Sequence, residues 1–201
     1  KQFYKNHMKE ISKYLSEENS VLHISSSLSG VFELEESIDT LTIDPKKELE
    51  IELLKLKKDK YDLIIVTDIF EVSSDIYNFV KFFKNALTKE GKVLLTSINP
   101  KWNFILKFFE LLKLKRNSNI NAYIKPSKIS NIFNSLNFEK LKSYNRQIFP
   151  FSFFGIGGLL NISLELFLGV FNIGIKTYFL YQLNETKSKK YSKTIIVPAK
   201  N

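Results

Sequence analysis

Cysteine is absent from the 201 residues. That removes disulfide frameworks, thiolate metal sites and cysteine nucleophiles together, and it fits a reducing compartment. Imidazole is nearly absent too: His7 and His23 are the two histidines. A multi-histidine zinc site is therefore excluded, and no metal is expected. Glycine is sparse at seven residues and proline at five, while Met and Trp occur once each. Acids are outnumbered, 21 against 30 Lys and Arg, for a net charge of +9. No uninterrupted apolar run reaches the roughly 20 residues of a membrane span, and no segment reads as a signal peptide. The expected location is cytoplasmic, with peripheral contact at the inner face of a membrane left open.

Phenylalanine is abundant, at 18 residues, within a chain that is 44% hydrophobic and 25% charged. This composition and length suit one folded α/β domain with a single core. The positive charge is concentrated. Between Lys101 and Arg146, ten Lys or Arg stand against Glu110 and Glu139, a balance of +8. Such a segment can attract nucleic acid, anionic lipid or a phosphorylated substrate, or can simply be a solvated helix face. Its aromatic residues, Trp102, Phe104, Phe108, Phe109 and Phe133, fall at helical spacing. They read as core rather than as base-stacking platforms, so a nucleic-acid partner is not expected.

The pattern along the chain alternates. Met8, Ile11, Tyr14 and Leu15 predict a helix over 5–17, and VLHIS (21–25) a buried strand followed by the loop SSLSG. TLTID (40–44) is a second strand, and 46–60 suits an exposed helix. YDLIIVTDIF (61–70) holds a buried strand with Asp68 at its end. Ser73 and Ser74 can cap the next helix, which carries Ile76, Phe79, Val80, Phe83 and Leu87 on one face, with Gly91 closing it. KVLLTSIN (92–99) is another buried strand; helices follow over 103–114 and 126–138, the latter capped by Ser127, then strands over 138–149 and 177–183. Residues 147–175 form an apolar segment broken by Pro150 and glycines. It predicts a cap on the sheet or over a substrate mouth, with interfacial membrane contact as the alternative.

Continuously apolar strands alternating with helices mean a mostly parallel sheet covered on both faces. Such sheets bind ligands beyond the C-terminal ends of their strands. The candidate site residues are therefore Ser25 to Gly30, Asp44, Asp68 and Asn99.

In this order the elements resemble a class I S-adenosylmethionine-dependent methyltransferase domain. VLHISSSLSG is similar to the first motif, LTID to the second, YDLIIVTDIFEV to the fourth-strand motif, KEGKVLLTSIN to the fifth strand, and TYFLYQL to the final antiparallel strand. The resemblance implies a Rossmann-like α/β fold, helices on both faces and an antiparallel C-terminal strand. It implies S-adenosylmethionine as cofactor, bound by Ser25, Ser27, Ser29, Gly30, Asp44 and Asp68. Asp44 would accept the ribose hydroxyls or stand as a turn aspartate before Pro45; Asp68 would face the methionine end or the substrate, or cap the following segment. The family's first motif is rich in glycine because the backbone must approach the cofactor closely. Here Ser25, Ser27 and Ser29 occupy the glycine positions, Gly30 remains, and His23 takes the place of the acid.

The tail TIIVPAKN (194–201) is similar to the opening strand of family 2 glycosyltransferases. The flanking segments resemble fused bacterial proteins in which a methyltransferase-like domain precedes such an enzyme. The implied organisation is a methyltransferase-like domain over 1–184, a linker over 185–193, and the truncated first strand of a glycosyltransferase-like domain over 194–201. Two functions follow. One is methyl transfer to a cell-surface glycan or its lipid-linked precursor, beside the fused glycosyltransferase. The other is a catalytically inactive scaffold or docking module with a degenerate cofactor loop. No residue type at a suitable place marks a catalytic base.

Overall fold

The computed structural model describes residues 2–16, 19–26, 38–43, 60–70, 75–111, 124–146 and 174–184. Ser27, Ser29, Gly30, Asp44, residues 46–59 of the helix expected over 46–60, the apolar segment 147–173, and the linker and tail from 185 lie outside them.

Helix α1 (Gln2–Ser12) leads into β1 (Val21–Ser26) and β2 (Asp39–Ile43). Next come β3 (Tyr61–Thr67), α2 (Ile76–Ala86) and β4 (Leu87–Ile98). A short 3-10 turn (Pro100–Trp102) opens α3 (Asn103–Leu111), and α4 (Pro126–Ser135), β5 (Phe138–Arg146) and β6 (Lys176–Leu183) complete the set. The six strands form one sheet in the order β2-β1-β3-β4-β6-β5. β1 to β4 are parallel, and β6 is inserted antiparallel between β4 and β5. The mostly parallel α/β sheet with an antiparallel C-terminal strand is the architecture that the sequence predicts.

Side chains alternate across this sheet, so its central strands β1, β3, β4 and β6 feed two cores. Leu22, Ile24, Ile64, Val66, Val93, Leu95, Phe179 and Tyr181 face α2 and α4 in the larger core. α2 supplies Ile76, Phe79, Val80, Phe83 and Ala86, all buried, at helical spacing. Six phenylalanines, Phe70, Phe79, Phe83, Phe133, Phe138 and Phe179, are buried here. Phe133 of α4 stacks on Tyr181 with centroids 4.0 Å apart, meets Phe138 edge-on at 5.2 Å, and approaches Phe70 at 6.4 Å. The opposite face carries Val21, Leu63, Ile65 and Leu94 under Ile11 of α1.

Several local expectations are corrected. The cap of α2 is Asp75, whose carboxylate accepts from the Asn78 amide at 3.0 Å; Ser73 and Ser74 lie outside the described residues. Gly91 does not close that helix, because α2 ends at Ala86 and the chain turns extended at once through Leu87. Gly91 lies inside β4, where the register jumps from Tyr61–Leu87 to Leu63–Lys92. A Cβ there would sit 2.8 Å from Leu87 Cβ and 2.9 Å from the Thr88 carbonyl oxygen, so this irregular stretch needs glycine for close approach. Ser127 is not a cap either. Lys125 occupies the cap position without a side-chain bond, and Pro126 starts the helix with its fixed φ. At the other end Asn137 takes the left-handed conformation, φ 69°, that glycine usually supplies.

The aromatic residues of the basic segment split. Phe133 is fully buried as expected, but Phe104 is 82% exposed and Phe108 50% exposed. Helical spacing identified their face; it did not determine what covers it.

Candidate functional site

The strand order reverses direction of growth at β1: β2 is added on one side, β3 and β4 on the other. The crevice beyond the C-terminal ends of β1 and β3 is where an open α/β sheet binds its ligand. Ser25 and Thr67 stand opposite each other there in register. Ser25 is buried, at 7% exposure. Asp68 follows directly on β3 with φ 56°, a left-handed conformation uncommon outside glycine, asparagine and aspartate.

A buried polar cluster adjoins this point on the α1 face. Asp68 Oδ1 accepts a hydrogen bond from the Lys176 ammonium, which forms an ion pair with it, and lies 3.5 Å from the Thr96 hydroxyl. Lys176 is the first residue of β6, opposite Ile98 at the end of β4, so antiparallel insertion of β6 carries a cation to the ligand-binding edge. Its side chain is 3% exposed, that of Asp68 21%. Burial pushes the Asp68 carboxyl up, but the Lys176 charge and the hydrogen bonds from Lys176 and Thr96 outweigh it and hold the group below the ordinary carboxylate range.

His23 does not stand in for a carboxylate. Its Nε2 lies 3.0 Å from the Thr67 hydroxyl, in an interior that lowers its pKa to about 4. His7 of α1 shares a 2.6 Å hydrogen bond between Nδ1 and the Tyr178 hydroxyl. Burial first, then the Lys176 charge, lower its pKa to about 3, against an opposing pull from Asp68. Both imidazoles are neutral at pH 7. The Tyr178 ring stacks on Tyr144 at 5.2 Å, and the Tyr144 hydroxyl meets those of Tyr14 at 3.0 Å and the Glu10 carboxylate at 3.4 Å. Burial and these neighbours raise the Tyr144 pKa above that of a free phenol, so it serves as a neutral donor.

Of the sequence-predicted residues, Ser25 and Asp68 are brought to the strand ends. Ser27, Ser29, Gly30 and Asp44 lie outside the described residues. Asn99 is occupied structurally: its amide nitrogen donates to the Gly174 carbonyl at 2.9 Å and its side-chain oxygen accepts from the Lys101 amide at 3.1 Å. Sequence reasoning missed Lys176, His7 and Tyr178. His7 carried a signal, since it precedes Ile11 by four residues and so shares its core-facing stripe. A lysine opening an aromatic strand was a weaker one in so lysine-rich a chain. Among the described residues no group of three or more His, Asp and Glu could hold a metal ion.

No protein-family profile matches the sequence, and no curated protein sequence matches it. Solved structures do match in shape. A SAM-dependent methyltransferase from Thermotoga maritima aligns with a TM-score of 0.56 at 10% identity, over 89% of this chain and 88% of that one. One from Archaeoglobus fulgidus aligns with a TM-score of 0.56 at 12% identity, over 90% and 93%. One from Mesorhizobium loti gives 0.55 at 12% identity, over 87% and 96%. Identities this low carry the fold and nothing finer. The chain has the Rossmann-like α/β fold of the SAM-dependent methyltransferases.

Proposed function

We propose that this domain is a SAM-dependent methyltransferase, with the cofactor seated at the C-terminal ends of β1 and β3. The observation that carries this reading is Asp68: a left-handed aspartate, held ionised by a buried lysine, at the point where the sheet order reverses. Buried ion pairs and unusual backbone conformations concentrate where function requires them. The chemistry of the residues fits the cofactor. Both described contacts of Asp68 fall on Oδ1, so Oδ2 can accept from an ammonium group, while the neutral His7 and His23 add no competing charge. Asp44 is proposed for the ribose hydroxyls, and the Ser25–Gly30 segment for the backbone passing the methionine end.

When bound, the cofactor supplies a methyl group activated on a sulfonium. The chain's own contribution is placement: Asp68 fixes the cationic end. The proposed acceptor is a hydroxyl of a cell-surface glycan or of its lipid-linked precursor, with a fused glycosyltransferase as partner; the similarity of 194–201 to a glycosyltransferase strand supports this. No helix among the described residues is long and apolar enough to cross a membrane. Peripheral contact is proposed instead through α3, which begins four residues after β4 and exposes Phe104 at 82% and Leu111 at 79% beside the exposed Lys107.

Transfer of labelled methyl from SAM to lipid-linked sugars in anionic vesicles tests the reading. Label is expected in the lipid fraction, with the protein co-sedimenting, and Phe104→Ser with Leu111→Ser should release it. Neither SAM binding nor methyl transfer would instead favour the scaffold with a degenerate cofactor loop, and SAM binding without transfer would remove the glycan acceptor. Unchanged sedimentation of the double variant would remove α3 from the contact.

A further inference from the structure

Lys176 is an unusual residue to place where it is. It opens a strand whose other residues are almost all buried, and its own side chain is 3% exposed. Its ammonium meets Asp68 Oδ1, and the Thr96 hydroxyl approaches the same oxygen at 3.5 Å. Oδ2 has no hydrogen-bond partner among the described residues, and the Asp68 side chain keeps 21% of its surface open. The two oxygens of one carboxylate are thus differentiated: one anchored from within the sheet, one left for something outside. Taking a lysine out of water to pair with a single carboxylate is a poor way to stabilise a fold. It is an effective way to fix the orientation of an anion.

We propose that Lys176 is the positioning residue of this site, holding Oδ1 of Asp68 so that Oδ2 stays available, as an anion, to the positively charged group of a ligand entering beyond β1 and β3. The ligand class is a cation, an ammonium or sulfonium; its identification with SAM rests on the function proposed above. Among the described residues the other titratable group acting on Asp68 is His7 from α1, and His23 from β1 acts in turn on His7. Arg146 of β5 stands opposite Lys176 in register but lies 3.9 Å from Glu10. Neither histidine is charged at neutral pH, so among the described residues Lys176 is the cation that keeps Asp68 ionised against its burial.

Lys176→Met, which keeps the length of the side chain and removes its charge, tests this in the full chain, with Lys176→Arg as the conservative variant. Two readouts are needed: the Asp68 carboxyl titration followed by carbon NMR without ligand, and calorimetric affinity for S-adenosylhomocysteine between pH 5 and 8. In the wild type the carboxyl titrates below the usual range and affinity is flat with pH. In Lys176→Met the carboxyl is expected to titrate above that range, and affinity to fall at least tenfold at pH 6 and recover as pH rises. Lys176→Arg should keep the wild-type carboxyl titration. Should Lys176→Met fail to fold, Lys176→Gln supplies the same comparison. An unmoved Asp68 titration, or wild-type affinity at every pH, would overturn the proposal. A wild type that binds neither SAM nor its product, with the carboxyl shift present, would overturn the cofactor reading and leave the positioning role supported.

Discussion

Asp68→Ala is expected to destabilise the domain by about 3–5 kcal/mol, although its side chain is partly open to solvent. The loss comes from what remains behind. Lys176, 3% exposed, would keep its ammonium in the sheet interior without the carboxylate that now compensates it. The Thr96 hydroxyl would lose an acceptor as well. Alanine also tolerates the left-handed backbone at φ 56° less well than aspartate. Asp68→Asn separates these contributions, because asparagine keeps the shape and the backbone tolerance and removes the charge alone. Adding Lys176→Met to Asp68→Ala should restore most of the loss, since an apolar pair replaces an orphaned cation. Urea unfolding reads the result as a fall in midpoint at unchanged slope. A single variant within about 1 kcal/mol of wild type would mean that the pair is not buried as described.

The second large effect is acid sensitivity. His7 and His23 are both fully buried, with pKa values lowered to about 3 and about 4. In the unfolded chain each takes up a proton near pH 6.5. Below that pH the unfolded state binds more protons than the folded one, so stability falls as pH falls, until the folded-state values are reached. By pH 5 the loss amounts to about 2 kcal/mol per histidine, or roughly 4 kcal/mol for the two. Asp68, lowered rather than raised, also loses its contribution in acid, as pH falls through the ordinary carboxylate value towards its lowered folded one, and so acts mainly below this window. Urea unfolding at pH 7 and pH 5 measures the difference. His23→Gln, which can keep a bond to Thr67, should remove about half of it. Equal stability at the two pH values would show that the imidazoles are not held neutral.

What the sequence revealed and what it hid have physical causes. The strands were legible because LIIV and VLL are continuous apolar runs, as a sheet covered on both faces demands. TYFLYQL marked β6 by a different signal, its alternation of aromatic residues. Asp68 was legible because an acid at the end of a buried strand has few places to go. Its partner was not, since Lys176 lies 108 residues away and reaches it only because β6 is inserted antiparallel beside β4. The junction of α2 with β4 misled the reading, because a glycine after a helical stripe signals a stop whether it terminates the helix or sits five residues beyond its end in a bulged strand. Phe104 shows a related limit. Periodicity assigns a residue to a face, and only the tertiary arrangement decides whether that face is covered.

The serine-substituted first motif remains the sharpest departure from the family whose fold the chain shares, so cofactor binding is the claim on which the account stands. Calorimetric titration of the wild-type chain with SAM and with S-adenosylhomocysteine tests it most directly. Saturable binding of both at one site is expected, weakened at least tenfold by Asp44→Ala through loss of the ribose contacts proposed for it. No heat and no competition at millimolar ligand would contradict the account and leave a methyltransferase fold used for something other than methyl transfer.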